Sequence, residues 1–285
     1  MDKEYAAWLH VKNTINTATK DKVNLLVIGD SRSKAGFIPN EVKGFTSINL
    51  SLGGASAVEG YYTLEKYLQN NPAPDHLLLS YVPYHLEDWS SYWNRAVSYN
   101  FLNDKDYQEI ENKAKEFKEI SILRRKRSYW YYKNPINYRS NFRNGFFNLR
   151  WGRNMQVFRD SIADRGHYFY GTRNSSNKLN KDTKQQDFEI SRFQNYYLRK
   201  LLDLAEKSEI KLYFFNMPFN KASFDQVKPL YVTHFTDYVN QLSSDYELKI
   251  CNKINFMENN NFGDSSHLYK GARKNTKNVM HCLAL

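Results

Sequence analysis

Three side chains in this sequence have the types and the order needed for acyl transfer through a covalent intermediate. Ser31 ends the tripeptide Gly29-Asp30-Ser31, directly after a run over residues 23–28 that is apolar but for Asn24. A serine on a sharp turn at the C-terminal end of a buried strand is well placed as a nucleophile. Near the other end of the chain, residues 263–271 read GDSSHLYKG, with Asp264 and His267 three apart in a turn-like stretch. That spacing lets the carboxylate hold one imidazole nitrogen while the other faces the serine. Nucleophile, base and orienter are then all present, in the chain order Ser, Asp, His. Each part also has a plain structural reading: Asp30 or Ser31 capping a helix, and Asp264 as an N-cap followed by a surface histidine.

The combination resembles the SGNH (GDSL-type) hydrolase superfamily. Its first block is the Gly-Asp-Ser after strand one, matched by Gly29, Asp30 and Ser31, and its last is Asp-x-x-His, matched by Asp264 and His267. The second block supplies a glycine amide to the oxyanion hole, and residues 49–56 (NLSLGGAS) stand in that place. The resemblance covers about 23–88 and 212 to the C-terminus, but not the middle. It implies catalytic roles for Ser31, Asp264 and His267, with an oxyanion hole from the backbone N–H groups of Ser31 and of Gly53 or Gly54. The third block departs from the pattern. Residues 77–88 (LLLSYVPYHLED) lack the asparagine that serves the superfamily as a side-chain oxyanion donor. Tyr81, Tyr84 and His85 are the candidates to replace it and, with Arg32, to contact substrate. Arg32 and Lys34 also have a plainer reading, as solvated charges at a helix start.

These residues need strands that end where they stand. Apolar runs predict strands at 23–28, 45–50, 76–82, 210–215 and 247–251. Helical spacing of apolar residues predicts helices over 59–69, 188–207 and 224–242, a charged helical stretch over 102–127 and a C-terminal helix. Alternating strands and helices imply a parallel sheet covered on both faces. The expected fold class is α/β, and the resemblance sharpens this to a three-layer α/β/α flavodoxin-like fold with a parallel five-stranded sheet. Residues 1–20 read as an N-terminal helix or tether, and 21–285 as one domain with an insertion at about 100–185.

The insertion is unusual in composition. Between 121 and 170 eleven Lys/Arg face only Asp160 and Asp164, a net of +9 in a chain whose formal charge is +11. Tyr129, Trp130, Tyr131, Tyr132, Tyr138, Phe142, Phe146, Phe147 and Trp151 are interleaved with them. Such a segment suits an anionic polymer, a membrane surface or sugar faces; equally, its rings pack on the core while its arginines are solvated. The polar run 174–186 (NSSNKLNKDTKQQ) reads as a mobile loop. Cys251 and Cys282 form no metal motif, and a disulfide and two buried thiols are both open.

No run reaches transmembrane length and no apolar signal core is present, so the plain reading is a soluble cytoplasmic protein. Envelope members of the superfamily carry a membrane anchor ahead of strand one, so the resemblance implies an extracytoplasmic location instead. The expected function is serine-dependent transfer of an acyl group, acetyl above all, to or from hydroxyls of a cell-envelope polysaccharide. No metal or organic cofactor is implied. The expected partners are a polysaccharide or oligosaccharide acceptor and an acyl donor that a membrane-bound acyltransferase would supply. The competing reading is a non-catalytic glycan- or anionic-polymer-binding module on a degenerate hydrolase scaffold. Nucleic-acid binding rests on charge alone.

Overall fold

The computed structural model describes residues 4–18, 22–44, 46–87, 91–124, 127–133, 147 and 150–284. Its centre is a five-stranded sheet in the order β2-β1-β3-β4-β6, built from β1 (Leu25–Gly29), β2 (Ser47–Asn49), β3 (His76–Ser80), β4 (Lys211–Phe214) and β6 (Leu248–Ile250). Every pairing in it is parallel. A two-stranded parallel ribbon joins β5 (Phe219–Asn220) to β7 (Phe256–Met257). The five predicted strands thus all form, each a residue or more shorter than its apolar run.

Strand alternation produces two cores. Leu26, Ile28, Leu77, Leu79, Leu212 and Phe214 face one side of the sheet and join the principal hydrophobic cluster. Leu25, Val27, Leu78 and Tyr213 face the other side, with Phe215, Met217, Val279 and Leu283. Successive side chains of a strand point to opposite faces, so a continuous apolar run is what a sheet covered on both sides requires. Full burial of each of Leu25, Leu26, Val27 and Ile28 contributes roughly 1.5–3 kcal/mol. Helices α1 (Tyr5–Asn16) and α3 (Ala57–Asn70) and the helix Arg192–Lys207 cover the first face. The second is covered by the C-terminal helix Ala272–Leu283, which packs on α2 (Ser31–Gly36). The result is three layers, α/β/α. α1 is no loose tether, since Trp8, Val11 and Ile15 are fully enclosed.

Part of the insertion belongs to the core. The helix Asp104–Phe117 buries Tyr107, Ile110 and Ala114 in the principal cluster. Trp93 packs on Tyr132 at 5.1 Å and on Tyr129 at 6.3 Å between ring centroids. Trp130 and Phe147 are instead 61% and 76% exposed. The aromatic residues of this segment therefore divide between packing and surface. The expectations placed on Arg125, Lys126, Arg139, Arg143, Tyr138, Phe142 and Phe146, and on Asp88 at the end of the third block, lie outside the described residues.

One expectation of mobility is overturned, and the open choice for the cysteines is resolved. The polar run 174–186 is pinned by Ser176, Asn180 and Asp182, all buried, and contains the short 3-10 helix Lys181–Lys184. Cys251 and Cys282 are joined in a disulfide that ties the end of β6 to the C-terminal helix across 31 residues.

Candidate active site

β1 ends where its backbone touches β3. A Cβ on Gly29 would collide with the carbonyl of Ser80, so only glycine lets the two strands close at this point. Asp30 follows and is completely buried. Its carboxylate accepts from the Arg32 amide at 2.8 Å, capping α2, and from the Val82 amide at 2.7 Å. His85 Nδ1 lies 3.3 Å from the same carboxylate, close enough for charge attraction without a well-formed hydrogen bond. Burial pushes the Asp30 carboxyl up, but His85, Arg32 and the Val82 amide outweigh it and hold it below its ordinary range. Asp30 is thus the fixed point that places Ser31, on the first turn of α2, beside the short helix Pro83–Glu87 that carries Tyr84 and His85.

The partner side chains come from the loop before the C-terminal helix. His267 Nε2 lies 2.8 Å from Ser31 Oγ, and His267 Nδ1 lies 2.7 Å from Asp264 Oδ2. Asp264 Oδ1 also accepts from the amides of Ser266 at 2.9 Å and His267 at 2.8 Å. One carboxylate therefore shapes the turn and orients the ring. Because a carboxylate only accepts, Nδ1 carries the proton and Nε2 is left to accept from the serine hydroxyl. Burial raises the Asp264 carboxyl, while the hydrogen bond and charge of His267 and the two amides bring it down to about 2. The ring of Tyr170 lies 4.5 Å from that of His267, tilted by 30°.

The second-block loop is held from behind. Gly53 O accepts from Arg95 Nη1 at 2.6 Å, and Gly54 O accepts from Ser91 Oγ at 2.6 Å. Arg95 Nη2 in turn reaches Glu4 Oε1 at 3.1 Å. Gly54 has a φ of +71°, and a side chain there would strike the Arg95 guanidinium. Gly54 lines a cavity of about 470 Å³ together with the donors Ser91 and Arg95. Ser31, Gly54, His267, Tyr84, His85 and Asn180 are among its lining residues, and polar groups dominate the wall.

Ser31, Asp264 and His267 are brought together as the sequence predicts, and Gly54, Tyr84 and His85 line the same cavity, with Gly53 immediately behind. Arg32 and Tyr81 do not. Arg32 is buried against Asp182 and sits 4.7 Å over the ring of Phe219, so it is not a solvated charge, and it does not line the cavity. Tyr81 is enclosed in the principal core, its hydroxyl against Gly60. Lys34 is also fully buried, with Nζ donating to Ser51 O at 2.9 Å. Burial pushes that amine down to about 7, against the opposing pull of Glu4.

Tyr170, Arg95, Ser91 and Asn180 were not singled out from the sequence. Tyr170 closes the aromatic-basic segment and Asn180 lies in the polar run 174–186, but nothing local to any of the four signals a site. No protein-family model and no curated protein matches this chain.

Proposed function

We propose that this chain is an SGNH-type enzyme that transfers an acyl group through an ester on Ser31. The observation that carries the reading is the continuous chain Ser31–His267–Asp264, with contacts of 2.8 and 2.7 Å, opening onto a cavity. His267 takes the serine proton as Oγ attacks an ester carbonyl, and Asp264 stabilises the imidazolium that forms. The backbone amides of Ser31 and Gly54 receive charge on the carbonyl oxygen. His267 then protonates the leaving alkoxide, and a second hydroxyl or water repeats the steps in reverse. The strand order 2-1-3-4-6 and the placement of Ser31 at the carboxyl end of β1 support this assignment.

The acyl group is read as acetyl and the acceptor as a hydroxyl of a cell-envelope polysaccharide. The polar wall of the cavity suits a polyhydroxylated ligand better than a lipid. A disulfide supports an oxidising, extracytoplasmic setting. No helix among the described residues is long and apolar enough to cross a membrane, and the acyl donor would come from a separate, membrane-bound acyltransferase. The alternative, a non-catalytic glycan-binding module, draws on the absent third-block asparagine; the aligned triad speaks against it.

The test is acyl transfer itself. The purified chain should hydrolyse a small aryl acetate slowly, and turnover should accelerate when the correct envelope oligosaccharide is added, with acetylated sugar detected by mass spectrometry. A well-positioned hydroxyl can outcompete bulk water by a large effective concentration. Release of acetate at rates that no glycan raises would make the chain an esterase. Absence of turnover and of Ser31 labelling by a fluorophosphonate would leave the binding module.

A further inference from the structure

The oxyanion site derived above has backbone donors but no side-chain donor, because the third block lacks its asparagine. We propose that Asn180, from the polar run 174–186, fills that role: its carboxamide donates to the carbonyl oxygen of the bound acyl group. Asn180 is 3% exposed, and it lines the same cavity as Ser31 and His267. Neither Nδ2 nor Oδ1 has a partner among the described residues. Buried amides are almost always hydrogen-bonded, and one left without a partner in the wall of a cavity that holds a reactive serine has a ligand as its natural partner.

The backbone of Asn180 is, in contrast, fully committed. Its N–H donates to Ser223 Oγ at 2.9 Å, and its carbonyl accepts from Thr183 Oγ1 at 2.8 Å. Just upstream, Asn220 Nδ2 donates to the carbonyls of Ser176 and Lys178, both at 2.9 Å. Two residues downstream, Asp182 pairs with Arg32, the residue that follows Ser31. A buried ion pair thus registers the Asn180 turn directly against the nucleophile's own helix. Donors must be fixed before charge develops if they are to stabilise a transition state without reorganising.

The other polar side chains of the wall fit the role less well. Nδ1 of His85 faces the Asp30 carboxylate. The Arg95 guanidinium already serves Gly53 and Glu4. Asn94 is exposed to solvent. Tyr170 also has a buried hydroxyl without a partner, beside Gly53 and with its ring 4.5 Å from that of His267; Asn180 is preferred because its N–H and its carbonyl are both held, which fixes the donor in place.

This inference rests on the acyl-enzyme reading, and one set of measurements separates the two. Wild type, Asn180→Ala and Asn180→Leu are assayed on an aryl acetate for kcat and KM, and each is labelled with a fluorophosphonate and melted. Loss of one oxyanion donor lowers kcat by about 10²–10³-fold. That fall is expected in both variants, with KM changed by less than about threefold and Tm equal to or above wild type, since an unsatisfied buried amide is removed. The Leu variant keeps about the volume of the side chain and removes the donor without adding a charge, so it guards against a loss caused by cavity collapse. Wild-type kcat in both variants, or a rise in KM alone, overturns the role of Asn180 while leaving the Ser31 chemistry standing. A wild-type protein that neither turns over ester nor labels overturns both.

Discussion

Arg32 and Asp182 form an enclosed ion pair that joins the residue after the proposed nucleophile to the middle of the polar run 174–186. Tyr231 adds its hydroxyl to Asp182 at 3.3 Å. Removing one member of such a pair strands the other charge without water, a loss of about 3–5 kcal/mol. Asp182→Ala should therefore lower Tm by roughly 10 °C in thermal denaturation. A melting curve identical to wild type would show that the pair contributes nothing to holding this run in place.

The triad should behave as a unit. Ser31→Ala and His267→Ala should each cut aryl acetate turnover by at least about 10³-fold, and the double variant should be no worse than either alone. Asp264→Asn keeps the shape but favours the wrong imidazole tautomer, with a loss on the order of 10⁴-fold. Circular dichroism should remain native in all of them. Additive losses would mean that the residues act separately.

Lys34 gives the stability a pH signature. Its amine is held at about 7 in the folded chain against an ordinary 10.5, so between these values the unfolded chain binds a proton that the folded chain does not. Stability must then rise as pH increases from 7 toward 10, before other groups intervene. Lys34→Met should flatten that rise and stabilise the protein at pH 7, as followed by denaturant midpoints across pH. A slope unchanged by the substitution would rule out Lys34 as its source.

The disulfide encloses the segment that carries Asp264 and His267. Closing a 31-residue loop is worth about 3–4 kcal/mol in the chain-entropy view. Replacing Cys251 and Cys282 together with Ser should lower Tm by roughly 10 °C and bring thermal loss of esterase activity forward by a similar interval. Equal melting of the two proteins would mean that β6 and the last helix hold together without it.

Much of this was legible in the sequence, and the failures share one cause. The strands could be read because a sheet buried on both faces demands unbroken apolar runs, and residues 25–28 provide one. The triad could be read because its geometry is set locally at each end: a glycine turn after β1, and an Asp-x-x-His turn whose carboxylate bonds its own backbone. Arg32, Lys34 and the run 174–186 were misread because charge and polarity suggest solvent. Their burial is decided by partners far away in sequence, Asp182 for Arg32 and the Ser51 carbonyl for Lys34. Asn180 left no signal of its own, since its position depends on contacts with Ser223 and, through Asp182, with α2.

The hydrogen bond between Ser31 and His267 spans 236 residues of chain. Synthesis runs from the N-terminus, so α2 and its serine emerge long before the imidazole that would activate them. A nascent or truncated chain lacking the last 20 residues or so carries Ser31 as an ordinary alcohol, inert toward esters however well β1 and β3 have paired. On the acyl-enzyme reading, ester turnover accordingly requires that synthesis has passed His267, and copies that stop short of it carry no stray deacylating activity.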